Sequence, residues 1–99
     1  KNSDLQIFEK SGECITTNNL EVFQALGDGY ALAHELEMKP YGETITSLVV
    51  LVHNTEGKEF YDEQKIAIPA GKCARQVGIY KYTTKQNIVK TVPIVEIRE

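Results

Sequence analysis

The chain has 99 residues, 41% hydrophobic and 25% charged, with a net charge of −3. These values sit near the averages for globular proteins and set aside disorder, a fibrous repeat and two separately folded cores. The longest apolar run, Leu48-Val49-Val50-Leu51-Val52, is far short of the roughly 20 residues a membrane-spanning helix needs, and the first ten residues lack the apolar stretch of a secretory leader, so the expectation is one soluble β-rich domain over residues 1–99 with no membrane partner.

Near the start, Leu5-Gln6-Ile7-Phe8 and Cys14-Ile15-Thr16-Thr17 flank Ser11-Gly12 and read as a short strand pair. Across residues 20–38 two readings compete. In one, residues 21–26 and 30–37 are strands joined by Gly27-Asp28-Gly29, which puts Tyr30, Leu32, His34 and Leu36 on a common face. In the other, residues 31–38 form a short helix, because alanine, leucine, glutamate and methionine are strong helix formers. The turn signal favours the hairpin.

Residues 47–53 form an apolar run followed by Asn54-Thr55-Glu56-Gly57, and residues 58–68 alternate up to the turn at Pro69-Ala70-Gly71. That pattern predicts a second hairpin. Because the first of its strands is apolar on both faces, it is expected at the centre of the sheet. A third hairpin is expected from residues 77–83 and 89–97, rich in β-branched and aromatic residues, around the polar Thr84-Lys85-Gln86-Asn87. Pro93 has no N–H, so the last strand should lie at an edge, carry a bulge, or turn that position away from its neighbour.

About seven short strands with Gly, Asn and Pro turns imply a mainly β fold, a small antiparallel barrel or sandwich of the SH3-like or OB-like kind. Cys14 and Cys73 are the only cysteines. They form either one disulfide closing a loop of about 60 residues, or two unlinked thiols of a reducing compartment.

Charge is divided unevenly. Residues 1–63 hold twelve acidic and four basic side chains, residues 64–99 seven basic and two acidic, and no acid occurs between Gln64 and Val95. The ligand-binding candidates follow from this: Lys72, Arg75, Tyr80, Lys81, Tyr82, Lys85 and Lys90, cations with aromatics interleaved, the pattern of a single-stranded nucleic-acid surface. Against it, the acidic balance of the whole chain repels a polyanion, and alternation sends Lys81 to the face opposite Tyr80 and Tyr82.

Motifs for catalysis are sparse. His34 and His53, each with a carboxylate nearby, are the residues for a metal-dependent hydrolase. Asp62 and Glu63 are adjacent and diverge on a strand, so they do not share a proton. Cys73, flanked by Lys72 and Arg75, is the better thiolate candidate. Gly71-Lys72 and Gly27-Asp28-Gly29 lack phosphate-loop spacing and read as turns. No catalytic residue, metal ligand set or cofactor is assigned. The function expected is a non-enzymatic binding module for a protein, peptide or small ligand, acting through loops or an exposed strand edge; nucleic-acid binding and metal-dependent hydrolysis are the alternatives, and self-association is plausible for so short a chain.

Overall fold

A computed structural model describes residues 3–57 and 59–99. Eight strands and no helix occur among them: β1 Ser3–Ile7, β2 Cys14–Thr16, β3 Leu20–Gly27, β4 Tyr30–Lys39, β5 Gly42–His53, β6 Lys65–Ile66, β7 Cys73–Thr83 and β8 Val89–Arg98. They form one sheet in the order β1-β7-β8-β5-β4-β3-β6, with β2 also on β7. The fold is mainly β as expected. Every pairing is antiparallel except that of β5 with β8, which is parallel.

Residues 31–38 are strand, and the helical alternative is overturned. The physical reason is burial on both sides. Ala31 and Ala33 pack on one face with Leu20, Val22, Val50 and Val52, while Leu32 joins Leu51, Ile94 and Val92 on the other. A chain sandwiched in this way gains more from alternation than the helical propensity of its residues offers. The β3–β4 turn is tight: Gly27 pairs with Tyr30, and Asp28 and Gly29 between them have φ of 56° and 80°, the positive values a two-residue turn of this hand requires.

Two expected pairings are replaced. β1 and β2 do not pair with each other; both lie along β7, at residues 78–82 and 74–75. The second hairpin is also absent. β6 is a two-residue strand that pairs with β3, and Lys58, placed at the start of the expected strand, lies outside the described residues. The cause is visible in the main chain around Val22, whose N–H donates to the Gln64 carbonyl while its own carbonyl accepts from the Glu63 N–H, both at 2.8 Å. Asp62 Oδ1 accepts from the Ala25 N–H at 2.9 Å. That carboxylate, weighed above as an acid or base, satisfies a donor on the edge of β3.

Cys14 and Cys73 form a disulfide, which removes Cys73 as a free thiolate. The bond secures β2, which meets β7 at only two positions before residues 17–19 cross to β3. The crossing delivers Thr16 and Asn18 to Glu35 of β4: the Thr16 hydroxyl and the Asn18 amide donate to Oε2, and the Thr46 hydroxyl donates to Oε1 at 2.9 Å. Burial alone would raise the Glu35 carboxyl, but the three hydrogen bonds outweigh it and hold the group below the usual carboxylate range. A depressed folded-state pKa contributes stability above the ordinary carboxylate range and loses it as pH falls through the lowered value. Glu35→Gln is expected to lose about 1 kcal/mol at neutral pH, the low end for bonds to a half-exposed charge. The gap to the parent should close in acid. A difference in urea midpoints that stays constant from neutral pH into the acid range would contradict this account.

The parallel ladder of β5 and β8 is short for a structural reason. It comprises Leu51 with Ile94 and Val52 with Val95, although the two strands have 12 and 10 residues. On the β8 side, the position before the ladder is Pro93, which cannot donate. On the β5 side, the register with β4 jumps from Val49 opposite His34 to Ile45 opposite Leu36. The extra residues form a bulge that bends the strand. The Thr46 hydroxyl stabilises the bulge by accepting from the Leu48 N–H at 3.1 Å.

Candidate functional site

Toward their N-termini, beyond Pro93 and the bulge, the two strands make no further pairing, which leaves a fork. Since they run parallel with Leu51 level with Ile94, residues 47–49 of β5 come beside residues 90–93 of β8. A concavity of about 410 Å³ occupies the fork, lined by Ser47, Leu48 and Val49 of β5, by Lys90, Thr91, Val92 and Pro93 of β8, and by Tyr82 of β7. Ser47, Lys90 and Thr91 are exposed.

Main-chain groups on the β8 side can be assigned. Pro93 pairs with Ile79, and a residue without an N–H belongs at a position whose main-chain groups point away from the antiparallel partner. Alternation then turns the N–H and C=O of Thr91, and those of Val89, away from β7 and into the fork. Such groups are the template that an incoming strand pairs with. One wall is apolar: Tyr80 and Val92 belong to one buried cluster, with Val49 and Tyr82 packed against it.

The basic residues singled out from the sequence do not form one surface. Lys72 and Arg75 stand at the start of β7 and Lys85 beyond its end, separated by roughly 30 Å or more at about 3.3 Å per residue. Arg75 is committed internally, donating to the carbonyls of Gly12 at 2.8 Å and Glu99 at 3.0 Å. Tyr80 is 9% exposed and stacks on Tyr82 with centroids 5.4 Å apart, while Lys81 is exposed on the opposite face. Tyr82 and Lys90 meet at the fork, with Lys85 at its mouth in the β7–β8 turn. Of the fork's other residues, Leu48 and Val49 read in the sequence only as part of an apolar central strand, and Ser47 and Thr91 are not among the binding candidates. Only Pro93 signalled an interrupted ladder.

A second concavity, about 380 Å³, lies at the C-terminal end of β5, with Phe60, Ile66 and Ile97 among its lining and His53, Lys65 and Lys72 at its polar side. His53 Nδ1 is 2.9 Å from Glu96 Oε2, and the other oxygen of Glu96 accepts from Arg98 at 2.9 Å. The imidazole also stacks on Tyr30 at 4.5 Å. His34 stands apart: it is level with Val49, whereas His53 is level with Tyr30, four residues along the strand or roughly 13 Å. Its ring lies on Phe23 at 4.4 Å, with Nδ1 buried and unpartnered. Two imidazoles so placed cannot share a metal at the roughly 2 Å ligand distances that zinc requires. No group of three ligating side chains that could hold a metal ion occurs among the described residues.

No family model matches the chain, and neither curated proteins nor solved structures yield a match. Among the described residues, no helix is long and apolar enough to cross a membrane. The class that the geometry defines is an all-β sheet with an internal fork.

Proposed function

We propose that this protein is a non-enzymatic interaction module that takes an extended peptide segment into the fork between β5 and β8 by strand addition. The observation that carries the reading is the ladder that ends at Pro93 while both strand edges continue along a concavity. Strand addition supplies affinity through main-chain hydrogen bonds and specificity through alternate side chains. A segment of about five residues spans the lining at about 3.3 Å per residue. The disulfide supports a place of action where such bonds persist. The nucleic-acid reading draws on the same lysines but has less support, since Tyr80 is buried and Arg75 is spent on carbonyls.

A titration of the isotopically labelled protein with an uncharged, alternating threonine–valine peptide of about seven residues tests the proposal. The amides of Ser47, Val49, Val89 and Thr91 are expected to shift and to exchange more slowly with solvent. Absence of shifts at the fork would sink the reading. Shifts confined to the cavity around Phe60 and Ile66 would replace it with small-ligand binding there.

A further inference from the structure

The charges around the fork say what kind of segment it takes. Lys39 is paired with Glu37, Lys65 with Glu43, and Arg98 with Glu96. Lys85 and Lys90 form no ion pair among the described residues. On the β4–β5 side, Glu43 is held by Lys65 at 3.2 Å and by the Asn19 amide, and Glu35, set against the bulge by Thr46, is occupied by three hydrogen bonds. No acid occurs between Gln64 and Val95, so β7, its turn and residues 89–95 of β8 carry no carboxylate to offset the two lysines, and Glu96 at the far end of β8 is taken up by His53 and Arg98. Between the two lysines in the chain, Ile88 and Val89 are 49% and 65% exposed, which sets apolar side chains next to the two cations.

Resting on the strand-addition reading, we infer that the fork recognises an acidic extended segment of a partner protein. Strand periodicity refines the pattern. Lys90 and Val92 are two residues apart on β8 and share a face, the face of Tyr82 and Val49. An inserted strand therefore sets an apolar side chain against Val92 and Val49 and, two positions toward the mouth, a carboxylate against Lys90. A second carboxylate beyond the mouth meets Lys85. The bulge lies at residues 46–48 of β5, beside the fork, where the β5–β8 pairing is absent.

The test compares three peptides of about seven residues: alternating valine and glutamate, the same with lysine for glutamate, and the glutamate form N-methylated at alternate main-chain nitrogens. The glutamate peptide is expected to bind about tenfold more tightly than its lysine counterpart at low salt, with the gap shrinking as salt is added. In a Lys85→Glu, Lys90→Glu variant, altered only at exposed positions, the preference should reverse. Equal affinities for the two charged forms, together with fork shifts for both, would overturn the acidic assignment while leaving strand addition intact. Undiminished binding of the N-methylated form would overturn strand addition itself. A mass that rises with protein concentration in the absence of peptide, with the same fork amides shifted, would replace the partner by a second copy of this chain.

Discussion

Reduction of the Cys14–Cys73 disulfide is expected to lower the free energy of unfolding by about 4 kcal/mol, within a range of about 2 to 5, the chain-entropy value for a loop of this length. The sequence separation of 59 makes the crosslink effective in restricting the unfolded chain. A local consequence is added to it. β2 is held to β7 at two positions and leads directly into the crossing that brings Thr16 and Asn18 to Glu35. With the bond reduced, the crossing loosens and Glu35 loses two of its three donors. The acid-dependent part of the stability assigned to Glu35 should therefore shrink in the reduced protein. Urea unfolding with and without a dithiol reductant, at neutral pH and in acid, reads both effects. An unchanged midpoint on reduction would show that the crosslink restricts nothing the fold does not already restrict.

The second large effect is expected from Gly78→Ala. Gly78 faces Ile7 across the β1–β7 ladder, and a Cβ there would overlap the Gln6 carbonyl oxygen, with the Gln6 carbonyl carbon and Ile7 Cα each at 3.1 Å. These are main-chain atoms of a paired strand, so no side-chain rotation relieves the clash. β1 must move or detach. Overpacking of this kind typically costs about 1 to 3 kcal/mol, occasionally more. Detachment would also uncover Tyr80, which pairs with Leu5 in the same ladder. The expected readout is loss of amide protection across residues 5–7 together with increased exposure of Tyr80, while the β4–β5 ladder stays protected. Full retention of β1 protection in the variant would contradict the close approach described here.

The local features of the fold were legible because they depend on neighbours in the chain. Asp28-Gly29 announces its turn through the need for positive φ, and Tyr80 and Tyr82 share a face because strand periodicity is two. Leu48 to Val52, apolar on both sides, predicted the central place that β5 holds between β4 and β8. Partner choice was not legible. The apolar alternation of β1, β2 and β6 fits any edge of the right length, so sequence proximity suggested β1 with β2 and β5 with β6. In the structure β7 is long enough to accept β1 and β2 in tandem, and β3 captures residues 63–66 through the main chain of Val22.

The candidate site follows the same division. Lys85, Lys90 and Tyr82 were readable as an unbalanced basic stretch, and Pro93 as an interruption. Nothing local to residues 47–49 tells that they stand across from residues 90–93, because that relation comes from a parallel pairing between strands more than forty residues apart. The amino-acid order alone thus determined that strands form, where they turn and which side chains share a face, since sterics and alternation act over a few residues. Only the tertiary structure decided which strands are neighbours, that Cys14 meets Cys73, and that β5 and β8 part company at Pro93. Those outcomes depend on the competition of many similar edges for the same partners, which burial of the whole chain resolves at once.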